Sequence, residues 1–208
     1  NLGIVLLCAP LAAAAESGSP DLRAALAQVL ESLDVQDAAL AFRAIARAAP
    51  AGLGRAERHD VLLPATVSLR AAMAEASQRD RIAHQYVSIF EDIFERGEPA
   101  LVSALSRSPD RTWATLAVYL EFLGEFPDSH VVRKHRMAAA QDLRRTALEF
   151  HARMRSGEGS ATLLPDLLRW DARLKQAGVN PGTSADLTVA TLFAHRLRTI
   201  LPSARNSD

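Results

Sequence analysis

The sequence predicts an all-α fold, a single globular bundle of about nine or ten helices. Three observations carry that prediction. Apolar residues recur at three- and four-residue spacing through most of the chain, the pattern of amphipathic helices. The periodic stretches end at Pro, Gly or short Ser/Asp clusters that cap or break helices. No alternating apolar–polar run suited to a strand exceeds a few residues, and no repeat of about 20–50 residues points to a solenoid. With 49% hydrophobic residues among 208, the chain can bury one sizeable core. Residues 1–208 are therefore read as one helical domain, with 202–208 as a polar tail.

The opening run from Leu2 to Ala15 is almost wholly apolar. It has the form of a signal-peptide core followed by a small-residue cleavage site, but it lacks a charged start and is shorter than the roughly 20 residues that span a bilayer. The competing reading is a helix buried in the core, and the residues alone leave the two open. Leu22, Leu26, Val29, Leu30 and Leu33 form one helical stripe behind the start signal Ser19-Pro20-Asp21. Asp34 offers the N-cap of the next helix, which carries Val35, Ala39, Phe42, Ile45 and Ala46. Pro50, Gly52 and Gly54 break the pattern into a loop that reaches Pro64.

Val67, Leu69 and Met73 mark the helix after that loop. Ile82, Tyr86, Ile89, Phe90, Ile93 and Phe94 mark another, which stops at Gly97. A short helix begins at Glu98-Pro99 and ends near Ser108. Pro109 suits the first position of the next, with Trp113, Leu116, Leu120 and Leu123 on its apolar face. Pro127 to Met154 reads as a long, charged amphipathic segment ended by Gly157 and Gly159. Leu163 to Ala177 is closed by Gly178, and the last helix runs from Ser184 to Leu201.

The 24 basic and 24 acidic residues cancel. That balance excludes a nucleic-acid binder working through a broad electrostatic footprint, while a local basic pocket stays possible. Lys134 and Lys175 are the only lysines; a GC-rich genome explains the arginine bias as well as phosphate recognition does. A single cysteine, Cys8, leaves no intramolecular disulfide or zinc knuckle and points to a reducing compartment. P-loop, dinucleotide, zincin and nucleophile-elbow patterns are absent from the sequence.

Three stretches can carry chemistry. Gly178 to Leu187 contains Asn180-Pro181-Gly182-Thr183-Ser184-Ala185-Asp186, a glycine turn opening a helix whose first turn offers unpaired N–H groups, hydroxyls and a carboxylate. Such an end attracts anions; the plain alternative is that Thr183 or Ser184 caps the helix and Asp186 complements its dipole. In Asp128-Ser129-His130-Val131-Val132-Arg133-Lys134, the side chains of His130, Arg133 and Lys134 share a helix face. Lysine and arginine beside a carboxylate suit a polyphosphate held through a divalent cation, and Asp128 and His130 are possible metal ligands; a solvated charged face is the alternative. Arg79-Asp80-Arg81, with His84 and Tyr86 beyond it, supplies a cap and surface pairs on the plain reading, and Asp60 after His59 is a further candidate.

Together these stretches resemble the triphosphoribosyl-dephospho-coenzyme A synthase family (CitG- or MdcB-like). Asn180-Pro181-Gly182-Thr183-Ser184-Ala185-Asp186-Leu187 is similar to its Pro-Gly-Gly-Ser-Ala-Asp-Leu block, and stands at the same place near the C-terminus. Asp128-Ser129 with Arg133-Lys134 resembles its Asp-Thr/Ser block followed by arginine. Asn1-Leu2-Gly3 resembles the end of its Gly-Val-Asn-Thr-His-Lys-Gly block, with Asn-Leu where the family has His-Lys. The stretches around His59-Asp60-Val61 and Arg79 to Ala83 resemble a divergent branch.

The resemblance implies an all-helical enzyme that moves a triphosphoribosyl group from ATP to 3′-dephospho-coenzyme A and releases adenine, with Mg2+ as the expected cofactor. It implies catalytic and metal-holding roles for Asp128 and Asp186. It assigns nucleotide or phosphate contacts to Asn1, Gly3, Ser129, Arg133, Lys134, Asn180, Gly182, Thr183 and Ser184. Asp60, Arg79, Asp80, Arg81 and His130 are added as further candidates. It turns the opening segment into a core helix, and makes the chain the C-terminal two-thirds of the family domain with the N-terminal third missing. The expected partners are small nucleotides, with no nucleic acid and no membrane; the expected compartment is the cytoplasm, and a homo-oligomer is allowed. The alternatives are a helical nucleotide-binding protein without catalysis, and an enzyme acting on another substrate in one-carbon cofactor assembly.

Overall fold

In a computed structural model of the chain, which describes residues 1–48 and 54–201, ten α-helices and one π-helical segment surround one hydrophobic core. Pro50 and Gly52 of the expected loop, and the expected polar tail at 202–208, lie outside the described residues. Helix α1 (Leu2–Glu16) packs against α2 (Leu22–Ser32) and α10 (Gly182–Ile200). Its Leu7 and Leu11 are fully buried, each worth about 1.5–3 kcal/mol of transfer from water. The Tyr86 hydroxyl donates to the Leu6 carbonyl at 2.7 Å, which ties the opening helix to α5. The opening segment is thus a core helix, and among the described residues no helix is long and apolar enough to cross a membrane.

Helices α3 (Val35–Ala48) and α4 (Leu69–Ala76) follow, with Asp34 accepting from the Gln36 and Asp37 N–H groups as the expected cap. Next comes α5 (Arg81–Ser88), capped by Asp80 through the Ile82 and Ala83 N–H groups. Here the structure corrects the expectation of one helix running from Ile82 to Gly97. Ile89 and Phe90 take left-handed backbone angles, and a π segment (Asp92–Gly97) runs directly into α6 (Glu98–Arg107).

The break has a physical reason. In a straight helix Arg81 and Asp92 would stand about 16 Å apart along the axis. In the structure the Arg81 guanidinium meets the Asp92 carboxylate through two bonds of 2.7 Å and lies over the Phe126 ring. Gln85 donates to the same carboxylate at 2.5 Å, so the reversal brings a buried acid back to its partners. Phe90 and Ile93 become fully buried at the same corner.

Helix α7 (Arg111–Glu125) is capped by Asp110, so Pro109 precedes the cap instead of taking the first helical position. Helix α8 (Ser129–Arg155) packs along α7 and is interrupted at Arg136, whose φ of 69° leaves the helical region. Helix α9 (Ser160–Gln176) leads through the Gly178 turn, which needs φ of 64°, to α10. Helix α10 begins at Gly182, two residues before the expected Ser184. The outcome is that α1, α5, α8 and α10 all start around one region.

Candidate functional site

A cavity of about 670 Å³ opens where those four helices begin. Asn1 and Gly3 line it from α1, Asp80 and Ile82 from the start of α5, His130 and Arg133 from α8, and Gly182, Thr183 and Asp186 from α10, with Asn180 just before it. The starts of α5, α8 and α10 carry partial positive charge, and Asp80 and Asp128 accept from their first N–H groups. The opposite wall is apolar, built by Phe42 and Ile45 of α3 and Met73 and Ala76 of α4. Arg58, His59, Asp60 and Val61 of the α3–α4 connection complete it.

Side chains of one helix cap the start of another. Asp128 is 1% exposed and its two carboxylate oxygens serve different helices. One oxygen accepts from the His130 and Val131 N–H groups at 2.9 and 3.1 Å, capping α8. The other accepts from the Ser184 N–H at 2.8 Å and its hydroxyl at 2.9 Å, fastening α10. Ser129 shares a 2.9 Å bond with the Thr183 hydroxyl and accepts from the Arg81 N–H at 3.2 Å. Thr183 and Ser184, expected as possible caps of their own helix, instead join α10 to α8; the cap position of α10 is Pro181.

The remaining candidates divide by position. Arg133 lines the cavity and pairs with the Asp80 carboxylate, while its Nε is buried without a partner among the described residues. Lys134 does not line the cavity: its ammonium and the His135 ring both reach the Gly178 carbonyl, at 3.2 and 3.0 Å. Arg81 is likewise turned away, into the Asp92 and Phe126 cluster. Arg79 lines the cavity and donates to the Glu75 carbonyl at 3.1 Å. Asp60 is buried in the wall, where the Leu62 N–H, and then the Ala56 N–H, hold its carboxyl below the ordinary range. Asp128, Ser129 and Ser184 stand behind the wall as its framework.

Asp186 and His130, both on the cavity wall, are shifted from their ordinary values. Burial raises the Asp186 carboxyl to about 6; the neighbouring Asp128 and Asp80 act in the same sense, while the Ile4 N–H opposes them. His130 is pushed below its ordinary value by burial and then by Arg133, so its imidazole is neutral at neutral pH. Sequence reasoning missed Phe42, Ile45 and Met73 as cavity residues, because their apolar periodicity has the same form whether a helix faces a core or a cavity. Arg58 and Glu75, paired at 3.4 Å on the rim, were missed as well.

The family model of CitG, described as ATP:dephospho-CoA triphosphoribosyl transferase, matches residues 1–204. The chain belongs to this family. A member transfers a triphosphoribosyl group from ATP to dephospho-CoA, and since ATP is that group joined to adenine, adenine leaves. This transferase is also similar in fold to a crystal structure from Archaeoglobus fulgidus that carries the name triphosphoribosyl-dephospho-coA synthase. The two are 24% identical, with a TM-score of 0.73 over 94% of this chain and 82% of that one. No curated protein sequence matches the chain.

Proposed function

We propose that the cavity at the starts of α5, α8 and α10 holds the triphosphate of ATP, and that the ribose C1′ lies between those starts and the apolar wall. The convergence of the α5, α8 and α10 starts, with two arginines, on one cavity is the observation that carries this reading. Arg133 and Arg79 bring guanidinium groups to the same space, suited to phosphate oxygens. The apolar wall of Phe42, Ile45 and Met73 suits a heterocycle.

Transfer breaks the C1′–N bond to adenine and forms a C1′–O bond to an acceptor hydroxyl, through a centre of oxocarbenium character. The hydroxyl loses one proton and the departing adenine gains one, so a single relay between them balances the step. His130, neutral and on the cavity wall, is the group we assign to that relay. Catalysis otherwise rests on positioning, because no protein nucleophile is needed.

Magnesium fits this site through one carboxylate. Both Asp128 oxygens are taken by helix N–H and hydroxyl donors, and those of Asp80 by the α5 start and Arg133. Among the described residues no group of three or more His, Cys, Asp or Glu is arranged for a metal. Mg2+ commonly takes one or two carboxylates and completes its shell with phosphates and water. Asp186 would hold it, and the bound ion would neutralise the triphosphate during transfer. The setting is the cytoplasm, where ATP is present, with small nucleotides as partners. Leu164 and Leu168, exposed one turn apart on α9, are compatible with a homo-oligomer.

Calorimetric titration of ATP into wild type and Asp186→Asn, with and without magnesium, tests the assignment. Loss of the magnesium-dependent part of the affinity with the fold intact is expected. Equal affinity in both proteins would reduce Asp186 to a helix-end charge. Adenine release from ATP with dephospho-CoA separates transfer from binding without catalysis.

A further inference from the structure

Helix α1 carries a glycine at its second residue, where alanine would favour the helix. The backbone of Gly3 has an ordinary helical form, with no left-handed angle that demands glycine. The space around it supplies the reason. A Cβ on Gly3 would lie 2.6 Å from the Asp186 Cγ, and its carboxylate oxygen Oδ2 would be closer still. Asp186 therefore rests against the bare backbone of the first turn of α1, where the Ile4 N–H faces its carboxyl.

We infer that Gly3 is a positioning residue for Asp186: its missing side chain lets the carboxyl group of α10 dock on the first turn of α1 at the cavity wall. The docking fixes the acid relative to Gly182 and Thr183, which lie one turn earlier on the same helix and line the same cavity. This role rests on the proposed transfer reading only for its catalytic consequence; the docking itself does not.

The test uses the full chain with Gly3→Ala. Propensity alone predicts an equal or higher melting temperature, and docking predicts a displaced carboxylate despite it. The expected result is a fall in kcat of about tenfold or more together with a weaker magnesium-dependent affinity for ATP, since the displaced carboxylate is the one proposed to hold the ion and a misplacement near 1 Å weighs on the reacting geometry. In an Asp186→Ala background the Gly3→Ala change should cost nothing further, because the side-chain group it displaces is gone. The Ile4 amide gives a readout without turnover. Its NMR shift should move in Asp186→Ala and in Gly3→Ala alike, and its exchange with solvent should quicken in both.

An unmoved Ile4 amide in both variants would overturn the docking. Unchanged kcat in Gly3→Ala, or losses that simply add in the double variant, would overturn the positioning role. If wild type shows no transfer at all while the Ile4 amide responds in both variants, the transferase reading fails and the docking stands.

Discussion

Asp128→Asn is the substitution that separates a framework acid from a metal ligand. The wild-type carboxylate accepts four bonds between 2.8 and 3.1 Å, two from the start of α8 and two from Ser184. An asparagine retains one acceptor oxygen, which can still cap α8. Its amide nitrogen cannot accept from the Ser184 N–H, and that buried donor then has no partner. Such an orphan costs about 1–3 kcal/mol. In Asp128→Ala the α8 cap goes as well, a further loss of about 0.5–2 kcal/mol, so about 1.5–5 kcal/mol in total.

For a chain of this length each kcal/mol lowers the melting temperature by about 2–4 °C. The asparagine variant should then melt about 4–8 °C lower for a mid-range loss of about 2 kcal/mol. Urea unfolding followed by far-UV circular dichroism measures the loss directly, provided the m-value is unchanged. Unaltered stability together with lost magnesium-dependent ATP affinity would refute the framework role. It would return Asp128 to the metal-holding task that the resemblance implies.

Other consequences follow from particular contacts. Burial raises the Asp186 carboxyl from 3.8 to about 6, so its protonated form stabilises the fold; that contribution is complete below the unfolded value and lost as pH rises through the folded one. The full span is at most about 3 kcal/mol, reduced to about 1–2 kcal/mol because the group is partly exposed. Asp186→Asn should therefore gain stability relative to wild type as pH rises from about 4 to about 7, and a flat difference in urea midpoints would contradict it. Arg81→Ala leaves Asp92, 1% exposed, without its main counter-charge, and should cost about 3–5 kcal/mol in the same unfolding assay. Gly97→Ala would set a Cβ 2.7 Å from the Phe122 ring and against Thr191, and should cost about 1–3 kcal/mol by overpacking, read as a lower melting temperature.

The helices were legible in the sequence because their signals are local. The caps at Asp34, Asp80 and Asp128 and the Gly178 turn are set by residues within four positions of one another. The apolar stripes of α2, α7 and α9 likewise follow from spacing alone. The placement of the site on helix starts was readable for the same reason, since Gly182 to Asp186 and Asp128-Ser129 announce helix entrances as well as a family likeness.

Long-range contacts decided the rest. Nothing near Ile89 and Phe90 marks a helix end; the reversal there lets Asp92 reach Arg81 and Gln85. Arg133 and Lys134 are adjacent in sequence, yet one lines the cavity and the other turns to the Gly178 carbonyl in the turn between α9 and α10. Asp128 and Asp186 read alike as carboxylates at helix starts. The tertiary structure separates them by saturating one with four donors and leaving the other against a glycine, facing the cavity. Spacing along a chain determines which residues share a helix face, whereas the free acceptor capacity of a buried acid depends on which distant donors the packing brings to it.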